Sequence, residues 1–156
     1  MKQCPFCSSS IEQVSFLTSP NFLVIYNQSP ILLGHSLVIP RQHYQSLLDL
    51  PLAYSHELMN LGMHTVRLLL KIFNADGFDW TIQDGKSAGQ SVMHLHLHLL
   101  PRYKNDFPDP GDWYPELIQN NRPESNLIDS KDRTKYSHSQ LIHIAGELKN
   151  KIKEMS

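Results

Sequence analysis

The sequence contains few cysteines, no excess of charge and no long apolar segment. Its 156 residues include two cysteines, and 14 Lys and Arg residues balance 15 Asp and Glu residues. This balance argues against nucleic acid as a partner, because binding to nucleic acid requires many cations that neutralise phosphates. No apolar run approaches the roughly 20 residues of a membrane-spanning helix, and residues 1–4 lack the apolar core of a signal peptide. We therefore expect a cytoplasmic protein that binds neither a membrane nor nucleic acid.

The two cysteines lie close together at the start of the chain, in the segment Cys4-Pro5-Phe6-Cys7. A disulfide between them would close too short a loop to add much stability, and reducing compartments disfavour disulfides. A C-x2-C spacing is instead half of a typical zinc site, to which other segments must add two ligands. The redox-active form of this motif would stand at the start of a helix behind a strand. We therefore predict that Cys4 and Cys7 bind a metal.

Histidine alternates with leucine over residues 94–99, and this is the most informative pattern in the chain. Successive side chains of a strand point to opposite faces, so alternation with a period of two is typical of a half-buried strand. Three histidines in register are hard to explain by packing alone, and we interpret their face as a functional site. The pattern thus predicts a strand over Met93–Pro101 with histidines on one face and leucines in the core: His94, His96, His98 and Leu95, Leu97, Leu99.

The rest of the chain predicts four more strands and two helices, which together make an α+β domain with an antiparallel sheet of about five strands. Apolar residues at intervals of three and four predict a long helix from Leu52 to about Asn74, with Gly77 as its left-handed end, and a C-terminal helix from Ser137 to about Met155. Asp106–Arg122 contains three prolines and predicts irregular structure. The helix histidines His56, His64, His138 and His143 are predicted to face solvent. The other predicted strands are Val14–Thr18, Asn21–Asn27, His35–Pro40 and Phe78–Gln83.

The histidine pattern extends upstream through Gln83-Asp84-Gly85 and Ala88-Gly89-Gln90-Ser91 and downstream into Pro101-Arg102. In these segments the sequence resembles the histidine triad (HIT) family of nucleotide hydrolases and transferases, and most closely its Fhit-type and bacterial dinucleoside polyphosphate hydrolase branches. The resemblance covers about residues 4–105. It implies a HIT fold within a single domain of residues 1–156, in which residues 106–156 form an irregular excursion and the C-terminal helix. It also implies a homodimer that pairs through the long helix and an edge strand.

The resemblance implies that the middle histidine, His96, attacks the α-phosphorus of a nucleotide and forms a nucleotidyl-histidine, which water then hydrolyses. Imidazole is largely neutral near pH 7 because its unperturbed pKa is about 6.5, and its attacking nitrogen keeps a lone pair when the other nitrogen donates a hydrogen bond. His98 would donate to the phosphoryl oxygens or to the leaving group, and His35 would support the site. The residues expected to bind substrate are Asn27, Gln83, Gly89, Gln90, Ser91, Val92 and His98.

His43 matches a position at which zinc-containing bacterial HIT proteins carry a metal ligand. Together with the first triad histidine, it would complete a set of two thiolates and two imidazoles: Cys4, Cys7, His43 and His94. Tetrahedral zinc accepts this set with no position left open for chemistry, so we expect a structural zinc. A divalent cation such as magnesium is a further expected cofactor, which would accompany the polyphosphate of the substrate.

Three alternatives to a dinucleoside polyphosphate hydrolase, of the diadenosine tri- or tetraphosphate type, remain open. Ser91 also occurs at the matching position of Hint-type phosphoramidases, but Leu100-Pro101-Arg102-Tyr103 replaces the Gly-Gly-Arg that follows the triad in that branch. A nucleoside phosphoramidase is therefore the first alternative. A nucleotide-binding sensor with little turnover is the second. The third alternative is a catalytic zinc on the three triad histidines. The adjacent glutamine-containing loop argues against it, because amides are poor zinc ligands.

Overall fold

The computed structural model describes residues 4–118 and 133–155. Short 3-10 turns precede β1, precede the long helix and follow β4. The five strands are β1 (Ser15–Thr18), β2 (Phe22–Tyr26), β3 (Ser36–Pro40), β4 (Gly77–Ile82) and β5 (Leu97–Arg102). The three helices are α1 (Leu52–Phe73), α2 (Trp113–Ile118) and α3 (His138–Glu154).

The five strands form one antiparallel sheet in the order β1-β2-β3-β5-β4. This arrangement confirms the predicted α+β class and the predicted strand count. The central strands β2 and β3 are buried throughout, as expected of their apolar sequences. One row of paired residues crosses the sheet and places His98 between Leu37 and Thr81. The row consists of Ser15, Ile25, Leu37, His98 and Thr81.

Helix α1 packs against β3, β4 and β5. Gly62 permits this close approach, because a Cβ atom at that position would lie 2.6 Å from the Trp80 ring and 3.3 Å from Leu97. The helix ends as predicted, within a residue, but its left-handed end is Asn74, with φ of 52°, and not Gly77. Asparagine tolerates this conformation. Gly77 instead opens β4, where it pairs with Arg102.

The histidine strand is shorter than predicted, and this is a correction to the range Met93–Pro101. Strand β5 begins at Leu97, so His94 and His96 precede the ladder. Pro40 lies where the ladder would continue, and it has no N–H to donate. The Leu95 N–H instead donates to the Tyr44 carbonyl over 2.7 Å. The alternation itself persists, because Leu95, Leu97 and Leu99 are all buried in the core.

The irregular structure predicted for Asp106–Arg122 is wrong over Trp113–Ile118, which forms the short helix α2. Residues 119–122 lie outside the described residues. Trp113 and Leu117 stand one turn apart, and both are buried against Leu100 of β5. Pro115 is accommodated because the first turn of a helix needs no N–H donors. Burial of this apolar pair thus outweighs the prolines that predicted a loop.

The C-terminal helix α3 begins at a capping box formed by Ser137 and Gln140. Leu141, Ala145 and Leu148 join the core through contacts with β1 and β2. The residues just before the helix are tied to the sheet, because the Tyr136 N–H donates to the Gln28 carbonyl over 2.9 Å. Within residues 4–118 and 133–155, no helix combines the length and apolarity needed to cross a membrane.

Candidate active site

A cavity of about 330 Å³ opens on the histidine face of the sheet. Its walls come from the N-terminal turn, from β2 and β3, from the segment before β5, and from the chain that leads into α3. Of the predicted site residues, Asn27, His35, Gln83, Ser91, Val92, His96 and His98 line it. The volume is in the range of small-molecule sites, which begin at about 300 Å³.

His96 is held in one tautomer by its own backbone neighbourhood. Its Nδ1 lies 2.8 Å from the His94 carbonyl oxygen. A carbonyl can only accept, so Nδ1 carries the proton and Nε2 keeps its lone pair. The ring is buried and packs edge-on against Phe6, with ring centroids 5.6 Å apart. The structure therefore fixes the orientation of the His96 ring and leaves the lone pair on Nε2.

His98 is held in the opposite tautomer by a chain of hydrogen bonds through His35. The Ile31 N–H donates to His35 Nδ1 over 3.2 Å, so a neutral His35 carries its proton on Nε2. His35 Nε2 lies 3.0 Å from His98 Nδ1 and donates to it. The proton of His98 is thus on Nε2. This nitrogen is buried and has no hydrogen-bond partner among the described residues.

Burial keeps the three imidazoles neutral. Desolvation lowers the pKa of His96, although its hydrogen bond to the His94 carbonyl raises it. Desolvation, together with the neighbouring His35 and His96, holds the pKa of His98 well below its usual range. The pKa of His35 falls to about 3, chiefly through burial and then through the charge of Arg133. The cavity therefore favours neutral imidazoles at His96 and His98 over imidazolium ions.

Gln83 is the second donor without a partner. Its side chain is buried at the cavity wall, and among the described residues its amide Nε2 has no hydrogen-bond partner. Leaving a buried donor unpaired costs about 1–3 kcal/mol. The cavity wall thus carries two unpaired donors, His98 Nε2 and Gln83 Nε2, and the lone pair of His96 Nε2. This combination suits a ligand rich in acceptor oxygens.

Two residues predicted to bind substrate do not line the cavity. The Gln90 side chain is buried, its Oε1 accepts from the Gly85 N–H over 2.8 Å, and its Nε2 donates to the Gln45 carbonyl over 2.9 Å. The Gly89 N–H donates to the Lys86 carbonyl over 3.0 Å. Gln90 thus holds the loop that carries Ser91 and Val92, and this differs from the direct contact that we predicted.

Several lining residues were not predicted from the sequence: Phe6, Ile11, Leu117, Arg133, His138 and Leu141. Phe6 could have been found, because it lies between the two cysteines and must accompany them. His138 is exposed, as predicted, but it also lines the cavity, and its Nε2 lies 3.3 Å from Gln13 Oε1. No sequence signal places Arg133 or Leu117 at the site, since the C-terminal third carries no motif that we recognise.

The four predicted metal ligands meet beside the cavity. Cys4 Sγ and Cys7 Sγ each lie 3.5 Å from His94 Nδ1, and Cys7 Sγ lies 3.3 Å from His43 Nδ1. His94 Nε2 donates to the Pro40 carbonyl over 3.0 Å, which leaves Nδ1 as the free ligand atom. All four ligand atoms lie within 4.8 Å of one another. This group could hold a metal ion.

The low pKa of His35 predicts that the folded protein loses stability as the pH falls. An unfolded histidine binds a proton below a pH of about 6.5, whereas folded His35 does so only near pH 3. Between these values the unfolded state binds one more proton, so the free energy of unfolding falls with falling pH by about 1.4 kcal/mol per pH unit for that proton. We expect His35→Asn to remove this part of the slope, measured by urea unfolding between pH 4 and pH 7. His64→Asn, on the exposed face of α1, should leave the slope unchanged, and an unaltered slope in His35→Asn would contradict the prediction.

The sheet, the paired tautomers and the cavity define a histidine triad site on an α+β domain. The family model described as the HIT domain matches residues 8–105, and the chain therefore belongs to the HIT family. The chain is 34% identical over 113 residues to a bis(5′-adenosyl)-triphosphatase of Dictyostelium discoideum, a match that covers 72% of this chain and 75% of the relative. Membership of the family predicted from the triad is thus confirmed.

Two crystal structures extend the comparison. The diadenosine triphosphate hydrolase of Plasmodium falciparum aligns with a TM-score of 0.68 at 25% identity, over 92% of this chain and 78% of that one. A zinc-bound HIT family protein from Mycobacterium smegmatis aligns with a TM-score of 0.57 at 33% identity, over 67% of this chain and 81% of that one.

Proposed function

We propose that the protein hydrolyses dinucleoside polyphosphates by attack of His96 Nε2 on an α-phosphorus. The observation that carries this proposal is the pairing of a fixed lone pair on His96 with two buried donors that have no partner among the described residues, His98 Nε2 and Gln83 Nε2. A nucleophile beside donors aimed at phosphoryl oxygens is the arrangement that phosphoryl transfer requires.

The reaction proceeds in two displacements. In the first, the His96 Nε2 lone pair forms a bond to phosphorus while the bond to the bridging oxygen breaks, and the leaving nucleotide accepts a hydrogen bond from His98 Nε2. In the second, water attacks phosphorus and releases a proton to the solvent, the P–N bond breaks, and His96 Nε2 regains its lone pair as the nucleoside monophosphate leaves. Division into two steps avoids direct attack of water on an anionic phosphate.

The substrate class is supported by the relatives, which are named bis(5′-adenosyl)-triphosphatase and diadenosine triphosphate hydrolase. The apolar part of the cavity, which includes Phe6 and Leu37, suits a nucleoside. A nucleoside phosphoramidase is the second candidate, because the same nucleophile could attack a P–N bond. The ratio of kcat/KM for diadenosine triphosphate to that for adenosine 5′-phosphoramidate decides between these two.

The test of the mechanism is mass spectrometry of protein quenched during turnover of diadenosine triphosphate. We expect an AMP adduct on the peptide that contains His96. Turnover in water enriched in oxygen-18 should place the label in AMP, because the water attacks the α-phosphorus. Label found only in ADP would contradict attack at the α-phosphorus. Binding without turnover would instead support a nucleotide sensor.

We further propose that Cys4, Cys7, His43 and His94 bind a structural zinc. Sulfur and nitrogen ligands of tetrahedral zinc lie about 3.5 Å apart, given Zn–S bonds of about 2.3 Å and Zn–N bonds of about 2.0–2.1 Å. The separations of 3.3–3.5 Å between these thiols and imidazoles fit that geometry. Burial raises the pKa of the Cys7 thiol, and the neighbouring Cys4 raises it further, so zinc would bind with release of protons. The zinc-bound relative supports this choice of metal.

A catalytic zinc on the triad is disfavoured by the orientation of the rings. His94 directs Nε2 to the Pro40 carbonyl and Nδ1 to the thiols. His96 and His98 instead line the cavity, and their Nδ1 atoms bond to the His94 carbonyl and to His35. The three imidazoles therefore do not converge on one point. A magnesium ion would have to come with the substrate, because none of the described residues that line the cavity is acidic.

A cytoplasmic location stays a prediction, supported by the free thiols of Cys4 and Cys7. A single domain over residues 1–156 is likewise a proposal. Its support is that α3 shares one apolar core with the sheet and with α1.

We propose that the protein is a homodimer that pairs through α1 and the edge strand β4. Large apolar side chains stay exposed there: Leu52, Met59 and Met63 on α1, and Phe78 on β4. We expect sedimentation at micromolar concentration to give a mass near twice the 18.0 kDa of one chain. Met63→Glu should shift the mass to that of one chain. Ile142→Glu, at an exposed apolar position on α3, should not, and a single-chain mass for the unaltered protein would contradict the dimer.

A further inference from the structure

The proton on His98 Nε2 is fixed by a chain of hydrogen bonds that begins at the backbone. His98 lies beside the nucleophile, with the centroids of the His96 and His98 rings 4.9 Å apart. Behind it, the Ile31 N–H donates to His35 Nδ1 over 3.2 Å. A backbone N–H can only donate, so the single proton of neutral His35 is on Nε2, which donates to His98 Nδ1 over 3.0 Å.

Asn27 does not alter this assignment. Its Nδ2 lies 3.3 Å from His35 Nε2, but that nitrogen carries the proton given to His98 and has no lone pair left for an amide donor. The orientation of the Asn27 amide is fixed separately, because its Oδ1 accepts from the Ser29 N–H over 2.9 Å. The chain therefore runs in one direction, from Ile31 through His35 to His98.

This chain cannot be reversed. A proton on His98 Nδ1 would require His35 Nε2 to accept it, and His35 would then carry its own proton on Nδ1. That proton would face the Ile31 N–H, donor against donor. The geometry thus disfavours both the other neutral tautomer of His98 and its imidazolium form. The pKa of His98, which burial holds well below its usual range, agrees with this.

The turn that supplies the Ile31 N–H is itself held in place. The Gly34 N–H donates to the Tyr26 hydroxyl over 3.0 Å, and this hydrogen bond is buried. The Tyr103 hydroxyl donates to the Leu33 carbonyl over 2.8 Å. Rotation of the Ile31 peptide to accommodate a reversed chain would disturb these bonds. The direction of the chain is therefore a property of the folded loop.

None of the other described residues that line the cavity is placed to act as an acid instead of His98. Amides, aliphatic hydroxyls and the guanidinium of Arg133 hold their protons at neutral pH. Burial raises the pKa of the Tyr26 hydroxyl. His138 is exposed, and its Nε2 lies 3.3 Å from Gln13 Oε1, an acceptor for its hydrogen.

A fixed donor and an acid act differently on a leaving group. The leaving oxygen can accept a hydrogen bond from His98 Nε2, but transfer of that proton would leave neutral His98 as an anion. As His96 Nε2 bonds to phosphorus and the P–O bond breaks, the electron pair stays on the leaving oxygen, which departs as an anion. Phosphates, with a last pKa of about 6, and carboxylates, with a pKa of about 4, are stable in that form, whereas alkoxides are not.

We propose that His35 is a positioning residue that makes His98 a fixed hydrogen-bond donor and not a general acid. The site then cleaves nucleotides whose leaving oxygen is stable as an anion, namely phosphates, carboxylates and acidic phenols. This inference rests on the proposed function and extends it to a further activity. The protein should hydrolyse the mixed anhydride of a nucleoside monophosphate and a carboxylic acid, but not an alkyl ester of the same nucleotide.

The first test compares adenosine 5′-(4-nitrophenyl phosphate) with adenosine 5′-(phenyl phosphate). The two esters share the nucleoside and the ring, and they differ in the acidity of the phenol that leaves. We expect kcat/KM to be about 100-fold or more higher for the nitrophenyl ester, because no proton relieves the charge on the leaving oxygen. Acetyl adenylate should be hydrolysed, and adenosine 5′-(ethyl phosphate) should not.

A ratio below about 10 between the two aryl esters, or cleavage of the ethyl ester, would overturn the inference and leave hydrolysis of diadenosine triphosphate standing. A loss in His138→Gln that is confined to the phenyl ester would also overturn it, because His138 would then be the acid.

A matched pair of variants tests the role of His35. In His35→Gln the amide can still accept from Ile31 and donate to His98 Nδ1, so the ratio between the aryl esters should be kept even where both rates fall. In His35→Glu the carboxylate accepts from His98 Nδ1, which permits an imidazolium that can release its Nε2 proton. We expect the ratio to fall about 10-fold or more in that variant. Equal ratios in the two variants would contradict the role of His35.

A second measurement does not depend on turnover. We expect NMR spectra of the unaltered protein with nitrogen-15 in its histidines to show, at neutral pH, a proton on Nε2 alone in both His35 and His98. A proton on His98 Nδ1 would overturn the inference, whatever the rates. The expected spectra in a protein that does not hydrolyse diadenosine triphosphate would support the assigned donor and overturn the proposed hydrolysis instead.

Discussion

Replacement of His96 by alanine is expected to abolish hydrolysis of diadenosine triphosphate while leaving its binding nearly unchanged. The variant lacks the imidazole lone pair on Nε2, which is left free because the other nitrogen of His96 is bound to the His94 carbonyl. Loss of a nucleophile that forms a covalent intermediate removes the pathway itself, and we expect kcat to fall at least about 1,000-fold. Steady-state rates and calorimetric titration of a non-hydrolysable analogue measure the two effects separately.

The control for this variant is His143→Ala, which removes an exposed imidazole from α3 and should keep the full rate. His98→Ala should lose less than His96→Ala, about 10- to 100-fold, since Gln83 and other donors still surround the phosphate. Free imidazole added to His96→Gly should restore part of the rate if the missing group is the nucleophile. A His96→Ala protein that keeps a tenth of the original rate would exclude His96 from that role.

The parts of the fold that could be predicted depend on periodic burial. Leu95, Leu97 and Leu99 are buried because alternation encodes one apolar face, and α1 follows from the spacing of its apolar residues. The exact extent of β5 depends on partner strands, because a ladder ends where the neighbour offers no N–H, as at Pro40. The left-handed residue Asn74 was missed for a related reason. Glycine is the usual choice, and only the path from α1 into β4 decides which residue takes that conformation.

In the candidate site, too, some residues could be predicted from the sequence and others could not. The metal ligands could be named because the chain has only two cysteines and because the family resemblance points to His43 and His94. The structure brings all four together. Gln90 was assigned to the substrate because its family position suggests contact, but its amide is used to hold its own loop. Arg133 could not be found at all. It lies three residues before Tyr136, which is bonded to Gln28, a contact between residues 108 positions apart.

Removal of the metal should lower stability before it alters chemistry. The predicted zinc would join three parts of the chain: the N-terminal turn, the segment after β3 and the segment before β5. Cys4→Ser, Cys7→Ser is expected to lose bound zinc and to lower the free energy of unfolding by several kcal/mol. Each kcal/mol corresponds to about 2–4 °C in the melting temperature of a protein of this size. Zinc content by mass spectrometry and calorimetric melting provide the two measurements.

The activity of the folded fraction then separates a structural zinc from a catalytic one. If zinc is structural, kcat per folded molecule in the double variant should stay within a few-fold of the original, because His96 and His98 do not contact the ligand atoms of the site. His94 does link the two regions, since its carbonyl holds His96 Nδ1. We therefore expect a small loss of kcat, because the His96 ring would be held less firmly, together with a fall in melting temperature. A catalytic zinc on the triad predicts the reverse: chelation would stop hydrolysis in a protein that melts unchanged. One zinc per chain retained in the double variant would place the metal elsewhere and leave the thiols without a role in binding it.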